Sequence, residues 1–239
     1  MVKQERAGRT RQAVLLAAAD TFAEAGFEAA SLVDISTRAG VSKGALYFHF
    51  VSKQALADGV LTAAGRVVAT AVLRARRSDR PAVQGLIDLA HELAALLREN
   101  VVVRAGVQLG QGAPYTSGGG AESAWHGWTV TLRRQLDRAR ASGELRPGLG
   151  CQEAAELLTA VTAGLVLLSW GDAGVLRPES VGRVLASALP ALVPADRCAD
   201  YLTDGSVPAS AVVAGSVTGS VPGSAPAPVA APASMPLHA

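Results

Sequence analysis

Residues 31 to 53 read SLVDISTRAGVSKGALYFHFVSK, two short helix-forming runs separated by Gly40-Val41-Ser42. Ser31 followed by Asp34 has the spacing of a capping box, with Asp where Glu or Gln is usual, and opens a helix over 32 to 39 that Gly40 ends. Ser42 is placed to cap a second helix over 43 to 50. Length and punctuation together predict a helix-turn-helix. Outward from it, Val14, Ala17, Ala18, Phe22 and Ala25 recur at three- and four-residue intervals, which predicts a supporting helix over 9 to 25 with Gly26 as its stop. On the other side Ser52 is positioned to cap a long fourth helix over 53 to 76, ended by RRSDRP before Pro81.

The residue types in this stretch suit the edges and phosphates of duplex DNA. A helix that starts with Ser42 and Lys43 can present them in a major groove, where Lys donates to guanine O6 or N7. Gly44 removes a side chain where backbone and DNA must come close, and Tyr47 shares the face of Lys43, within reach of a phosphate or a thymine methyl group. His49 and Lys53 stand where they can clamp phosphates, although His49 serves equally well in a structural hydrogen bond. Ser31 and Thr37 can touch phosphates from the preceding helix, and capping explains Ser31 just as well. Leu46, Phe48 and Phe50 are expected to form the core of the small domain. Lys3, Arg6, Arg9 and Arg11 face Glu5 alone in the first eleven residues, a basic arm suited to phosphate or minor-groove contacts.

Whole-chain properties agree with a polyanion partner and weigh against other classes. All three lysines fall in the first 53 of 239 residues, so positive charge gathers at one end although the net charge is only +2. The longest apolar run, 157 to 170, is shorter than the roughly 20 residues a bilayer requires and is expected to be a buried core helix. No secretory signal is visible, which leads to the expectation of a cytoplasmic protein with no membrane partner. Cys151 and Cys198 lack metal-ligand spacing, and His49, His91, His126 and His238 are scattered. No nucleophile-base pair or phosphate loop is present, so no enzyme, metal or cofactor is expected.

Beyond Pro81 the pattern stays helical over 81 to 99, 101 to 110, 121 to 142, 151 to 170 and 178 to 192, with Gly/Pro-rich breaks between. The helix over 154 to 170 is apolar around most of its circumference and needs covering on more than one side, as a second subunit would provide. From 195 the composition turns to Ala, Val, Pro, Ser and Gly, and from Gly205 no charged side chain follows. The fold class is therefore all-α, in three parts: 1 to 52 with the helix-turn-helix and basic arm, 53 to 194 as a helical bundle, and 195 to 239 as a disordered tail.

The stretch VSKGALYFHFVSKQAL after FEAASLVDISTRAG closely resembles the DNA-binding domain of the TetR family of transcriptional repressors. The resemblance implies an all-helical homodimer on a palindromic operator, with an N-terminal helix-turn-helix and a C-terminal domain for ligand binding and dimerisation. KQERAGRTRQAVLLAAADTFAEAGFEAASL, KGALYFHF, VVVRAGVQL and WTVTLRRQLDRARASGELRP resemble the γ-butyrolactone receptor branch, which implies a part in quorum sensing and control of antibiotic biosynthesis. In that branch a tryptophan fifteen residues before the glycine of GEL lines the ligand pocket, and Trp128 stands at that distance from Gly143. Receptors of the branch often carry a Thr-Gly pair on the facing helix; here the segment reads VTAGLVLLS, with Thr162 one place earlier and Ala163 before Gly164. The sequence pI of about 8.7 resembles the basic pseudo-receptors, which answer to antibiotics or other signals, more than the acidic true receptors. A TetR-type regulator of a drug efflux pump, sensing an antibiotic, is the alternative.

Overall fold

Apolar residues at helical spacing produce helices throughout the computed structural model, which describes residues 2–76, 80–111 and 124–206. In chain order these are α1 Val2–Ala29, α2 Leu32–Arg38, α3 Lys43–His49, α4 Lys53–Arg76, α5 Ala82–Glu99, α6 Val101–Gln111, α7 Ala124–Ala141, α8 Cys151–Ser169 and α9 Pro178–Ala188. Short 3-10 turns cover Ala173–Leu176, Leu189–Ala191 and Ala195–Asp200, and no strand occurs among the described residues. The glycine run 118 to 120 lies outside the described residues.

The first helix departs from expectation at its start. It reaches back to Val2, so Arg6, Arg9 and Arg11 project from helical turns rather than from a separate arm. No proline interrupts 2 to 9, and one glycine at 8 costs only about 1 kcal/mol, too little to stop a helix that continues into a packed face. At Gly26 the stop is realised: φ 77 and ψ 172 break the helical path there.

Two hydrophobic cores share the long helices. Val14, Phe22, Ile35, Leu46, Phe50, Leu56 and Val60 form the first with Val102, Ala105 and Leu109 of α6. Leu89, Leu93, Leu96, Trp128, Leu132, Leu136, Ala155, Leu158 and Val166 form the second, to which α4 adds Ala71 and α6 adds Val103. The border expected at 52/53 therefore falls inside shared packing, because α6 returns to cover α1 and α4. Gly106 makes that return possible, since a Cβ there would collide with Ala64 Cβ. Both α4 and α8 are long and apolar enough to cross a bilayer by length and composition, contrary to the shorter span expected for 157 to 170, and both contribute residues to these cores.

The first part of the segment expected as a tail from 195 is ordered through Ser206. Ala195–Asp200 forms a 3-10 turn and Tyr201 is buried. After it the chain lies along α5: Leu202 N donates to Gln84 Oε1 at 2.9 Å, Gln84 Nε2 donates back to Leu202 O at 3.1 Å, His91 Nε2 is 2.8 Å from Thr203 O, and Ser206 N donates to Asp88 Oδ1 at 2.8 Å. Gln84, Asp88 and His91 recur at helical spacing, so one face of α5 carries all three partners. Composition did not mark these contacts because the deciding polar groups lie on a distant helix.

Candidate nucleic-acid interface and interior effector site

The helix-turn-helix is held by local bonds that its sequence dictates. Ser31 Oγ accepts from Val33 N at 3.1 Å, and Ser42 Oγ accepts from Ala45 N at 3.2 Å, each satisfying an amide that the first helical turn leaves free. Gly40 takes φ 64, which lets Gly40 N and Val41 N fold back on Thr37 O and Ser36 O at 3.0 Å. Thr37 Oγ1 donates to Val33 O at 3.0 Å and remains exposed. Arg38 grips Glu24 with both terminal nitrogens, at 3.0 and 2.7 Å, tying α2 to α1.

Leu46 is fully buried and Phe50 nearly so, as expected of core residues. Phe48 is not: its side chain is 81% exposed. The correction has a geometric cause. Positions 46 and 50 are one turn apart and share a face, so position 48 must point the other way. The outward face thus carries Ser42, Lys43, Gly44, Tyr47 and Phe48. Lys43 Nζ lies 5.9 Å from the Tyr47 ring centroid, and Phe48 meets His49 edge to face at 5.2 Å.

His49 is half-buried, and burial together with the nearby Arg11 guanidinium holds its pKa below the ordinary histidine value. It is therefore neutral near pH 7 and offers an N–H rather than a charge. Lys53 points inward: Nζ donates to Glu28 O and Ala30 O, both at 3.0 Å, and sits 4.5 Å over the Phe27 ring. It fastens the start of α4 to the α1–α2 turn, and these two bonds use two of its three N–H groups. Arg6 and Arg9 are exposed on α1, and Arg11 lies 5.0 Å over the Phe50 ring.

The second candidate site is interior. Trp128 on α7 is 7% exposed among leucines and valines, and among the described residues nothing accepts from its indole N–H. A buried unpaired N–H costs about 1–3 kcal/mol, which a carbonyl-bearing ligand would recover. Thr162, half-buried on α8, spends its proton on Leu158 O at 2.7 Å and keeps only acceptor capacity. Helices α7 and α8 pack together and meet at Thr129 Oγ1 and Thr159 Oγ1, 3.1 Å apart. Gln108 Oε1 on α6 is also buried without a partner among the described residues, a polar atom that periodicity does not mark. An open cleft of about 410 Å³ at the α7–α8 turn, lined by Arg140 and residues 145 to 150, includes neither Trp128 nor Thr162.

A further residue went unmarked in the sequence. Glu144 is buried, and its carboxylate accepts from Ala82 N at 2.8 Å, Val83 N at 2.9 Å, Ser142 Oγ at 2.6 Å and Tyr201 OH at 3.3 Å. It caps α5 from outside, where Pro81 makes no side-chain cap. Burial pushes its pKa up, and the bonds from Ser142, Val83, Ala82 and Tyr201 outweigh that and hold it below the usual carboxylate value.

Residues 14–60 match the sequence profile of bacterial regulatory proteins of the tetR family. The A-factor receptor protein of Streptomyces griseus is 33% identical over 174 residues, 73% of this chain and 60% of the receptor, so the chain spans less than two thirds of that relative. Among solved structures, full-length native TylP, a TetR regulator from Streptomyces fradiae, is 32% identical with a TM-score of 0.68, covering 89% of this chain and 99% of TylP. A γ-butyrolactone receptor described as ArpA-like superposes with a TM-score of 0.71 at 25% identity, over 86% of this chain and 97% of that one.

Proposed function

Since the chain belongs to the TetR family of bacterial regulatory proteins, we propose that it is a ligand-responsive transcriptional repressor of the γ-butyrolactone receptor type and not an enzyme. The observation that carries this reading is the outward face of α3, where Ser42, Lys43, Gly44 and Tyr47 stand free of the domain's own packing. Each subunit sets this face in a major groove of a palindromic operator. Lys43 and Ser42 meet base edges and Tyr47 a base or phosphate, while Ser31, Thr37, His49, Arg6 and Arg9, with the remaining N–H of Lys53, meet phosphates.

The protein acts in the cytoplasm as a homodimer. On α8 the residues Leu157, Val161, Gly164 and Leu168 fall on one stripe, with Leu157 and Leu168 exposed, and a second copy of this helix would cover them. The effector enters near Trp128 and Thr162. A lactone carbonyl would accept from the Trp128 indole, the kind of group expected from likeness to proteins described as A-factor and γ-butyrolactone receptors.

Coupling between the two sites runs through α4 and α6, each of which packs in both cores. An effector that shifts α6 against Ala64 moves α4 and with it α3, changing the separation of the two reading heads. Coupling of about 1–3 kcal/mol, typical of such linkage, corresponds to a roughly 5- to 150-fold loss of operator affinity.

A mobility-shift assay on the promoters flanking the gene, titrated with γ-butyrolactones and separately with the pathway's antibiotic, tests this directly. Release by a lactone supports the receptor reading. Release by the antibiotic alone selects the pseudo-receptor or efflux-regulator alternative, and Lys43→Ala binding as tightly as the parent removes α3 from the interface.

A further inference from the structure

Gln135 occupies a core position without the bonds that a core demands. It stands on the inward face of α7 with Leu132, Leu136 and Ala139, and is only 1% exposed. Its Oε1 accepts from Arg138 Nη1 at 2.8 Å, while Nε2 has no acceptor among the described residues. Turning the amide over would set NH2 against guanidinium, donor against donor, so the NH2 group is the part left unpaired. Gln108 Oε1, a buried acceptor on α6 without a partner among the described residues, does not meet it. A buried amide without an acceptor destabilises the fold, and methionine would fill nearly the same volume without that penalty.

Trp128 lies seven residues earlier, which brings it back to the same face of α7, about 10 Å along the axis. Its indole N–H is likewise a buried donor with no acceptor among the described residues. Helix α7 therefore turns two unpaired donors to one side, two turns apart, with the apolar Leu132 between them.

Resting on the effector reading above, we infer that Gln135 is a second polar anchor of the effector site, and that the effector carries two hydrogen-bond acceptors about 10 Å apart, joined by an apolar segment. The Trp128 indole takes the first acceptor and the Gln135 amide the second. A γ-butyrolactone with a plain alkyl tail offers acceptors in its ring only and leaves the Gln135 amide unpaired. A molecule with a carbonyl oxygen at its far end as well satisfies both donors. Gln135 is thereby a specificity residue, and it favours an effector that is polar at both ends over an alkyl-tailed lactone.

The test uses the full-length protein on its selected operator duplex and two synthetic γ-butyrolactones with tails of equal length, one a plain alkyl chain and one with a ketone about 10 Å from the ring carbonyl. The ketone lactone releases the parent at about one tenth of the concentration that the alkyl lactone needs, the effect of one hydrogen bond. In Gln135→Met that advantage is lost or reversed, because the ketone then gives up water and meets no donor. Gln135→Glu keeps the bond from Arg138 and also removes the donor, so it loses the advantage too. Gln135→Met melts no lower than the parent.

The inference is overturned if the two lactones release the parent equally, which leaves a bound water as the partner of the amide, or if either variant keeps the parent's preference. Melting of Gln135→Met below the parent overturns it as well, since the amide is then paired within the fold. Equal release on a curve that Trp128→Phe shifts leaves the effector reading standing without this inference. Release by neither lactone defeats that reading first, and the inference with it.

Discussion

Replacing Glu144 by Gln keeps the shape of the side chain and removes only its charge and one acceptor. Oε1 takes Ala82 N and Ser142 Oγ, and Oε2 takes Val83 N and Tyr201 OH. Whichever way the amide turns, one backbone N–H of the α5 amino end faces an NH2 group instead of an oxygen. An unsatisfied buried N–H costs about 1–3 kcal/mol, and the surviving bond loses its charge assistance, so about 2–4 kcal/mol is expected in total. For a domain of this size that is a fall of roughly 5–15 °C in Tm, read by circular dichroism at pH 7.

The pH dependence has a definite sign. The folded carboxyl has a lowered pKa, so its contribution is complete above the unfolded value of about 4.3 and is lost as pH falls through the folded value. The gap between parent and Glu144→Gln should therefore narrow below about pH 4. Tyr201→Phe removes only the 3.3 Å donor and should cost less than the Glu144 change. A Glu144→Gln protein that melts within about 1 °C of the parent at pH 7 would refute the capping role.

Gly106→Ala forces a methyl into Ala64 on α4 and should cost about 1–3 kcal/mol in urea unfolding; paired with Ala64→Gly the loss should largely recover. Trp128→Phe keeps an apolar ring and deletes the unpaired N–H, so it should leave Tm unchanged or raised while the effector concentration for operator release rises about tenfold, a bond worth roughly 1.4 kcal/mol. An unchanged release curve would make Trp128 structural. Leu168→Glu sets a charge on the exposed α8 stripe and should shift sedimentation from dimer to monomer without melting the fold, whereas an unshifted dimer would place the interface elsewhere.

Much of the helix-turn-helix was legible because its signals are local. Ser42 caps α3, Gly40 closes α2 with positive φ, and the serine-glycine punctuation lies within a few residues of the turns it specifies. Phe48 was also legible and was misread. An aromatic cluster suggested a core, yet the 46/50 pairing already sent 48 outward, where its ring stands exposed. Lys53 could not be read this way. Its partners, the carbonyls of Glu28 and Ala30, sit 25 and 23 residues back, and only the folded α1–α2 turn brings them within 3.0 Å.

Trp128 was marked as a candidate effector contact only through the resemblance to the γ-butyrolactone receptor branch, in which a tryptophan at that distance from the glycine of GEL lines the pocket. That the indole N–H lacks a partner among the described residues is a property of what surrounds it, which no spacing contains. The same holds for α6, whose neighbouring residues Val102 and Val103 face different cores.

By itself, then, the order of residues determined that this chain is helical, where most helices begin and end, and which short helix is presented to solvent with lysine and tyrosine on it. Those outcomes follow from caps, glycines and three- or four-residue spacing, all local in range. Tertiary structure alone decided that Glu144 caps a helix 62 residues earlier and that Leu202 pairs with Gln84 across 118 residues. Such pairings depend on which surfaces the cores bring together, because a buried carboxylate or amide is stable only where folding delivers its partners.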